Sequence, residues 1–214
     1  MAKTATKKPR SLYSVHPGVF MVQKWIQELP EKTGRSLEQW VELVKKSGPA
    51  TFKERCDWLK SEHGMGTNAA WWIAERADEE RSGVSEDTPE DYLRAAEKYV
   101  EDMFSGGKAG LRPIYDALLK LCLSIGNDVK ACPCQTIVPL YRNHVFAQIK
   151  PATRTRIDMG FALKNQKAKG RLIDTGGFAK KDRITHRIPI TNLQEIDDEV
   201  EIWLKTAYQM DVKP

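Results

Sequence analysis

The sequence has no apolar run approaching the ~20 residues of a membrane-crossing helix, and no signal-peptide pattern opens it. It also lacks a phosphate-binding glycine loop, a nucleophile elbow and any metal-ligand triplet. No catalytic residue, metal or cofactor is therefore expected, and no membrane partner. Cysteine is scarce. Cys56, Cys122, Cys132 and Cys134 are too few for a disulfide framework, and only Cys132-Pro133-Cys134 forms a close pair. On a strand, both sulfurs of that pair would share a face and could reach one soft ion. With no third ligand near them in sequence, buried or half-buried thiols in a reducing cytoplasm are the expectation.

What the chain does have is segregated charge. From Arg142 to Arg187 it carries twelve Lys/Arg against three Asp/Glu, whereas Ser11 to Gly107 carries twelve against eighteen. The net charge of +5 hides this contrast. Such segregation concerns partners more than fold. The opening MAKTATKKPR has four cations, no acid and almost nothing to bury. Residues 1–14 therefore read as a basic disordered tail.

Helical spacing dominates the first half. Apolar residues at 19, 22, 25, 26 and 29 predict a helix that Pro30 closes. Ser36 with Gln39 is a capping-box pattern, Thr51 can cap a third helix, and Thr67 or Asn68 a fourth. These make a helical domain over 15–80. Residues 81–88 are polar and lack anchors, which predicts a linker. Thr88-Pro89-Glu90-Asp91 then starts a further helix with a cap, a proline and two acids.

The period changes after Gly126. Ile137–Tyr141 and Val145–Ile149 predict two strands joined by a turn at 142–144, and Arg156 to Leu163 and Ile184 to Ile190 alternate as further strands. A last amphipathic helix starts near Asp197. The expected fold is α+β: a four-helix domain, then residues 89–214 as a mostly antiparallel sheet with flanking helices.

Lys32 to Trp40 and Trp58 to Gly66 resemble the bacterial domain-of-unknown-function family 4287. Leu111 to Asp116, Phe146 to Pro151, Arg154 to Gly160, Thr185-His186-Arg187 and Trp203 to Tyr208 are similar to domain-of-unknown-function family 5655. The resemblance implies a two-domain bacterial cytoplasmic protein and carries no activity.

Three constellations bear on function. A helix, a Gly64-Met65-Gly66 turn and a second helix outline a helix-turn-helix. The second helix offers Glu75, Asp78, Glu79 and Glu80 against Arg76 and Arg81, which opposes groove reading. A Trp-rich helical domain can instead hold a protein partner. In the β half, alternation groups Arg154, Arg156 and Asp158 on one strand face, with Arg142 at the turn and Lys164 opening a Lys-rich loop. Guanidinium forks suit phosphates, and Tyr141, Phe146 and Phe178 could supply stacking planes. His186 shares a face with isoleucines, so it reads as a core or edge histidine. Alternatively it closes a cleft with Arg156 and Asp158. Arg142, Arg154, Arg156, Asp158, Lys164 and His186 form the candidate anion-binding set, with nucleic acid as the expected partner. The competing reading is a hydrolase or nuclease-like site built on Asp158, His186 and Thr136.

Overall fold

Caps, prolines and glycines set the helix boundaries in a computed structural model that describes residues 11–78 and 86–213. The chain divides into two units, His16–Tyr92 and Leu93–Pro214, the latter taking in the segment before His16.

The first unit holds four helices: α1 Pro17–Thr33, α2 Leu37–Ser47, α3 Phe52–Ser61 and α4 Thr67–Ala77. Helix α1 runs through Pro30 instead of stopping there. It ends at Gly34, whose left-handed backbone (φ 75°) returns its N–H to Pro30 O. Both capping boxes form, Ser36 with Gln39 and Thr51 with Glu54. Helix α4 begins one residue earlier than its hydroxyl cues suggest, at an N-cap Gly66 that makes no side-chain cap. Leu29, Trp40, Val44, Leu59, Ala70 and Ile73 fill the core. His63 lies edge-on to two indoles, 5.0 Å from the ring of Trp40 and 4.5 Å from that of Trp58. It therefore belongs to the packing beyond α3.

Helix α5, Pro89–Met103, starts as expected: Thr88 Oγ1 accepts the Asp91 N–H. The division between the units falls inside α5, at Tyr92/Leu93, and not within 81–88. Asp87 is tied to Arg76, and Tyr92 is buried and faces the His16 ring, so this segment packs with the first unit. Residues 81–85 of the expected linker lie outside the described residues.

The second unit is α+β. After α5 come α6 Arg112–Ser124, strands β1 Lys130–Ala131, β2 Val138–Tyr141, β3 Val145–Pro151, β4 Ile157–Phe161, β5 Ile173–Asp174 and β6 His186–Ile190, then α7 Asp198–Met210. The six strands form one antiparallel sheet in the order β1-β2-β3-β4-β6-β5. Ile149, Ile157, Met159, Phe161, Ile188 and Ile190 point from one face into the core. There they join Val100 and Met103 of α5, Tyr115 and Leu118 of α6, and Val200, Leu204 and Ala207 of α7. Burial of these apolar side chains is the dominant favourable contribution to folding.

Residues 11–14, which composition assigns to the tail, are anchored instead. Ser14 N–H donates to Ala131 O at 2.8 Å, and Tyr13 Oη lies 3.1 Å from the buried Tyr115 Oη. An aromatic within reach of a half-satisfied buried phenol outweighs the polarity of its neighbours. Residues 1–10 lie outside the described residues.

Candidate functional site

Because side chains alternate across a strand, the core-facing Ile157, Met159 and Phe161 place Asp158 on the opposite face of β4. On β6 the same rule places Arg187 on that face. Asp158 pairs with Pro189 and Gly160 with Arg187 in the register, so Arg187 sits diagonally from Asp158. Its Nη1 donates to Asp158 Oδ1 at 2.9 Å. Arg156 Nε lies 2.9 Å from the same oxygen, a charge contact without hydrogen-bond alignment. Asp158 is 15 % exposed and each arginine about one third. The expected Arg156–Asp158 pair thus exists, with Arg187 as a third member. Alternation alone shows Arg187 facing away from His186, but only the β4–β6 register brings it to Asp158.

The other candidates separate. Arg154 is exposed in the loop after β3, its stem over Gly107. Arg142 is a structural clamp. It donates to Asp128 at 2.9 Å and to Tyr208 O at 3.1 Å, and its guanidinium lies 4.1 Å from the Tyr208 ring centre. This engagement takes Arg142 out of the anion-binding set. Lys164 is exposed with a left-handed backbone, φ 55°, in the loop after β4. It stands beyond the opposite end of β4 from Arg156, and β4 alone spans roughly 13 Å at ~3.3 Å per residue.

His186 is removed from the set. It is 1 % exposed, on the core face. Its Nε2 lies 2.8 Å from Gln166 O, and its Nδ1 lies 2.8 Å from Thr185 Oγ1. A carbonyl only accepts, so the ring hydrogen is on Nε2. The Thr185 hydroxyl then donates to Nδ1 while itself accepting the Leu163 N–H at 3.2 Å. Asp158 and His186 consequently lie on opposite faces of the sheet, and the exposed Thr136 precedes β2 at a separate loop. The three do not converge into a hydrolytic site.

Sequence patterning gave no sign of Asp211, just beyond α7. It is 3 % exposed. Its Oδ2 accepts the Asn143 and His144 N–H groups, each at 2.9 Å, and its Oδ1 meets the His144 ring and Arg183 Nη2 at 2.9 and 2.7 Å. Arg171 similarly fastens the preceding loop to the start of α7, through Glu199 Oε2 at 3.0 Å and through Asp197.

Residues 100–211 match the family Domain of unknown function (DUF5655), and residues 21–79 match Domain of unknown function (DUF4287). The chain belongs to the DUF5655 family. No curated protein and no solved structure matches it.

Within the DUF5655 domain the twelve cations from Arg142 to Arg187 split largely by residue type, Arg154 being the exception. Five arginines (142, 156, 171, 183 and 187) are paired with carboxylates. Lys150, Arg154, Lys164, Lys167, Lys169, Lys180 and Lys181 are exposed, with no ion pair among the described residues. Of the expected stacking planes, Phe146 is fully buried against Tyr208, Tyr141 is half-buried, and Phe178 is 54 % exposed.

Two thiols of this domain, Cys122 and Cys132, are buried. Burial, with Cys134 adding to it, pushes the Cys132 thiol up to about 12, and its Sγ donates to Val15 O at 3.7 Å. No group of three or more His, Cys, Asp and Glu among the described residues is placed to hold a metal. No helix among them is long and apolar enough to cross a membrane. In the DUF4287 region, Trp71 is 41 % exposed, its ring edge-on to Phe52.

Replacing Arg156 with Ala should leave folding within ~1 kcal/mol of the wild type, because a partly exposed charge contact without hydrogen-bond alignment contributes little and Arg187 still holds Asp158. Urea unfolding measures this. A loss well beyond that value would show that Arg156 is structural.

Proposed function

We propose that the DUF5655 domain of this protein is a polyanion-binding module and that its ligand is nucleic acid. One observation carries the reading: seven cations of this domain stand exposed without a carboxylate partner among the described residues, while its paired arginines are consumed by internal bonds. Lysines held apart on a firm scaffold and left unneutralised attract an extended array of phosphates more than a single small anion. Four cysteines, none of them in a disulfide among the described residues, fit a reducing cytoplasm, where nucleic acid is available.

The test is binding of labelled single-stranded and duplex oligonucleotides between about 50 and about 200 mM salt. Each phosphate contact contributes a log–log slope of ~0.7–0.9. Engagement of four or five lysines should therefore weaken binding by about a hundredfold across that range. Binding that is absent even at the lower salt would end this reading.

A further inference from the structure

Two loops meet at the end of the sheet where β4 finishes and β6 begins. The first, residues 162–172, carries Lys164, Lys167 and Lys169, and the second, residues 175–185, carries Phe178, Lys180 and Lys181. They are stitched together at Thr185 and His186. Thr185 N–H donates to Phe161 O, Thr185 Oγ1 accepts the Leu163 N–H, Thr185 O accepts the Thr175 N–H, and His186 reaches Gln166 O. The buried histidine therefore positions one lysine-bearing loop beside the other.

The second loop is shaped around its aromatic tip. Gly176 takes a left-handed backbone, φ 71°, and a Cβ on Gly177 would lie 2.7 Å from Ile184 O, so the paired glycines let the chain press onto the strand. Asp182 N–H returns to Gly177 O at 2.9 Å and Lys181 N–H to Phe178 O at 3.1 Å. This closes a tight turn beneath Phe178 and leaves its ring out in solvent. Lys164 and Lys181 are the two non-glycine residues with positive φ among the described residues, one on each loop. Such backbone is uncommon outside glycine; Lys164 follows the Leu163 N–H held by Thr185, and Lys181 is held by its own N–H to Phe178 O.

We propose that this loop end, Phe178 with Lys164, Lys167, Lys180 and Lys181, binds single-stranded nucleic acid by stacking a base on Phe178 while the lysines take flanking phosphates. The inference rests on the nucleic-acid reading above and narrows it. An aromatic ring set among unpaired cations is the pattern that single strands meet, since an unpaired base has a free π-face. A duplex hides those faces, and its major groove admits a helix or a β-ribbon; this end of the sheet presents loops. An anionic membrane also attracts lysines, but one phenyl ring provides a small apolar anchor compared with the two signals that stable membrane attachment takes.

The experiment titrates the full chain, wild type and variants, into labelled oligo-dT and a duplex of equal length, with phosphatidylserine vesicles as a third arm. The single strand should bind at least tenfold more tightly than the duplex. Phe178→Ala should weaken single-strand binding roughly ten- to hundredfold with unchanged thermal unfolding, because the ring is exposed. Phe178→Trp should retain binding and show indole quenching on addition of the strand. Equal affinity for duplex, or full binding by Phe178→Ala, overturns the stacking proposal and leaves the general nucleic-acid reading standing. Vesicle binding without oligonucleotide binding overturns both.

Discussion

Replacing Asp211 with Ala is expected to destabilise the DUF5655 domain by about 2–4 kcal/mol, because two backbone N–H groups lose their acceptor and a half-exposed ion pair is lost. The carboxylate is nearly solvent-free, yet each oxygen is occupied. Two backbone N–H groups of the β2–β3 turn reach Oδ2, and the His144 ring and Arg183 reach Oδ1. Without it those donors lose their acceptor, and the turn is held to the end of α7 only by the Arg142 and Asn143 side-chain bonds to Tyr208 O and Asp211 O. Asp211→Asn should cost less, since an amide oxygen can still serve the two N–H groups. Its nitrogen, however, would face Arg183. The contribution depends on pH with a defined sign. Burial raises the Asp211 pKa, but the His144 and Asn143 bonds and the Arg183 charge outweigh burial and hold it below its ordinary value. The stabilisation is therefore fully present above the unfolded carboxylate value of ~3.9. It is lost as pH falls through the lower folded value. Denaturant unfolding of both variants at neutral and acid pH measures this, and wild type and Asp211→Ala should converge in acid. A difference below ~1 kcal/mol at neutral pH would show that the cluster does not hold the turn.

The order of elements was legible because each depends on neighbours in sequence. Ser36, Thr51, Thr88 and Asp197 cap the helices they precede, and the turn at 142–144 joins the two strands its flanks announce. Pro30 misled because a proline removes one helical donor without forbidding another turn. Side-chain partners were harder to see. The Arg156–Asp158 pair lies two residues apart and could be foreseen. Arg187, Asp211 and Arg171 find their partners across 29, 28 and 28 residues respectively, through a register that no local pattern encodes. For the same reason a cluster of basic residues in sequence overstated the available charge. Except at Arg154, guanidinium groups, with several donors in a planar fork, were drawn into internal bonds, whereas the more strongly hydrated ammonium groups stayed at the surface.

Replacing His186 with Ala separates the two roles that its sequence context allowed. The side chain fills space on the core face and completes a closed set of bonds from the Leu163 N–H through the Thr185 hydroxyl and the imidazole to Gln166 O. Truncation leaves a cavity and the Gln166 carbonyl without its donor, which together should cost about 2–4 kcal/mol. Local order should fail before the whole domain does. The Leu163 amide should exchange faster with solvent, and loop 162–172 should lose its place beside loop 175–185. Oligonucleotide binding should then weaken only modestly, because Lys164 and Lys167 remain exposed but are less well placed, and because Phe178 is untouched. Hydrogen exchange, urea unfolding and binding measured on the same variant decide the matter. Unchanged stability combined with abolished binding would mean that His186 contacts the ligand itself, and that the imidazole leaves the core when the site is occupied.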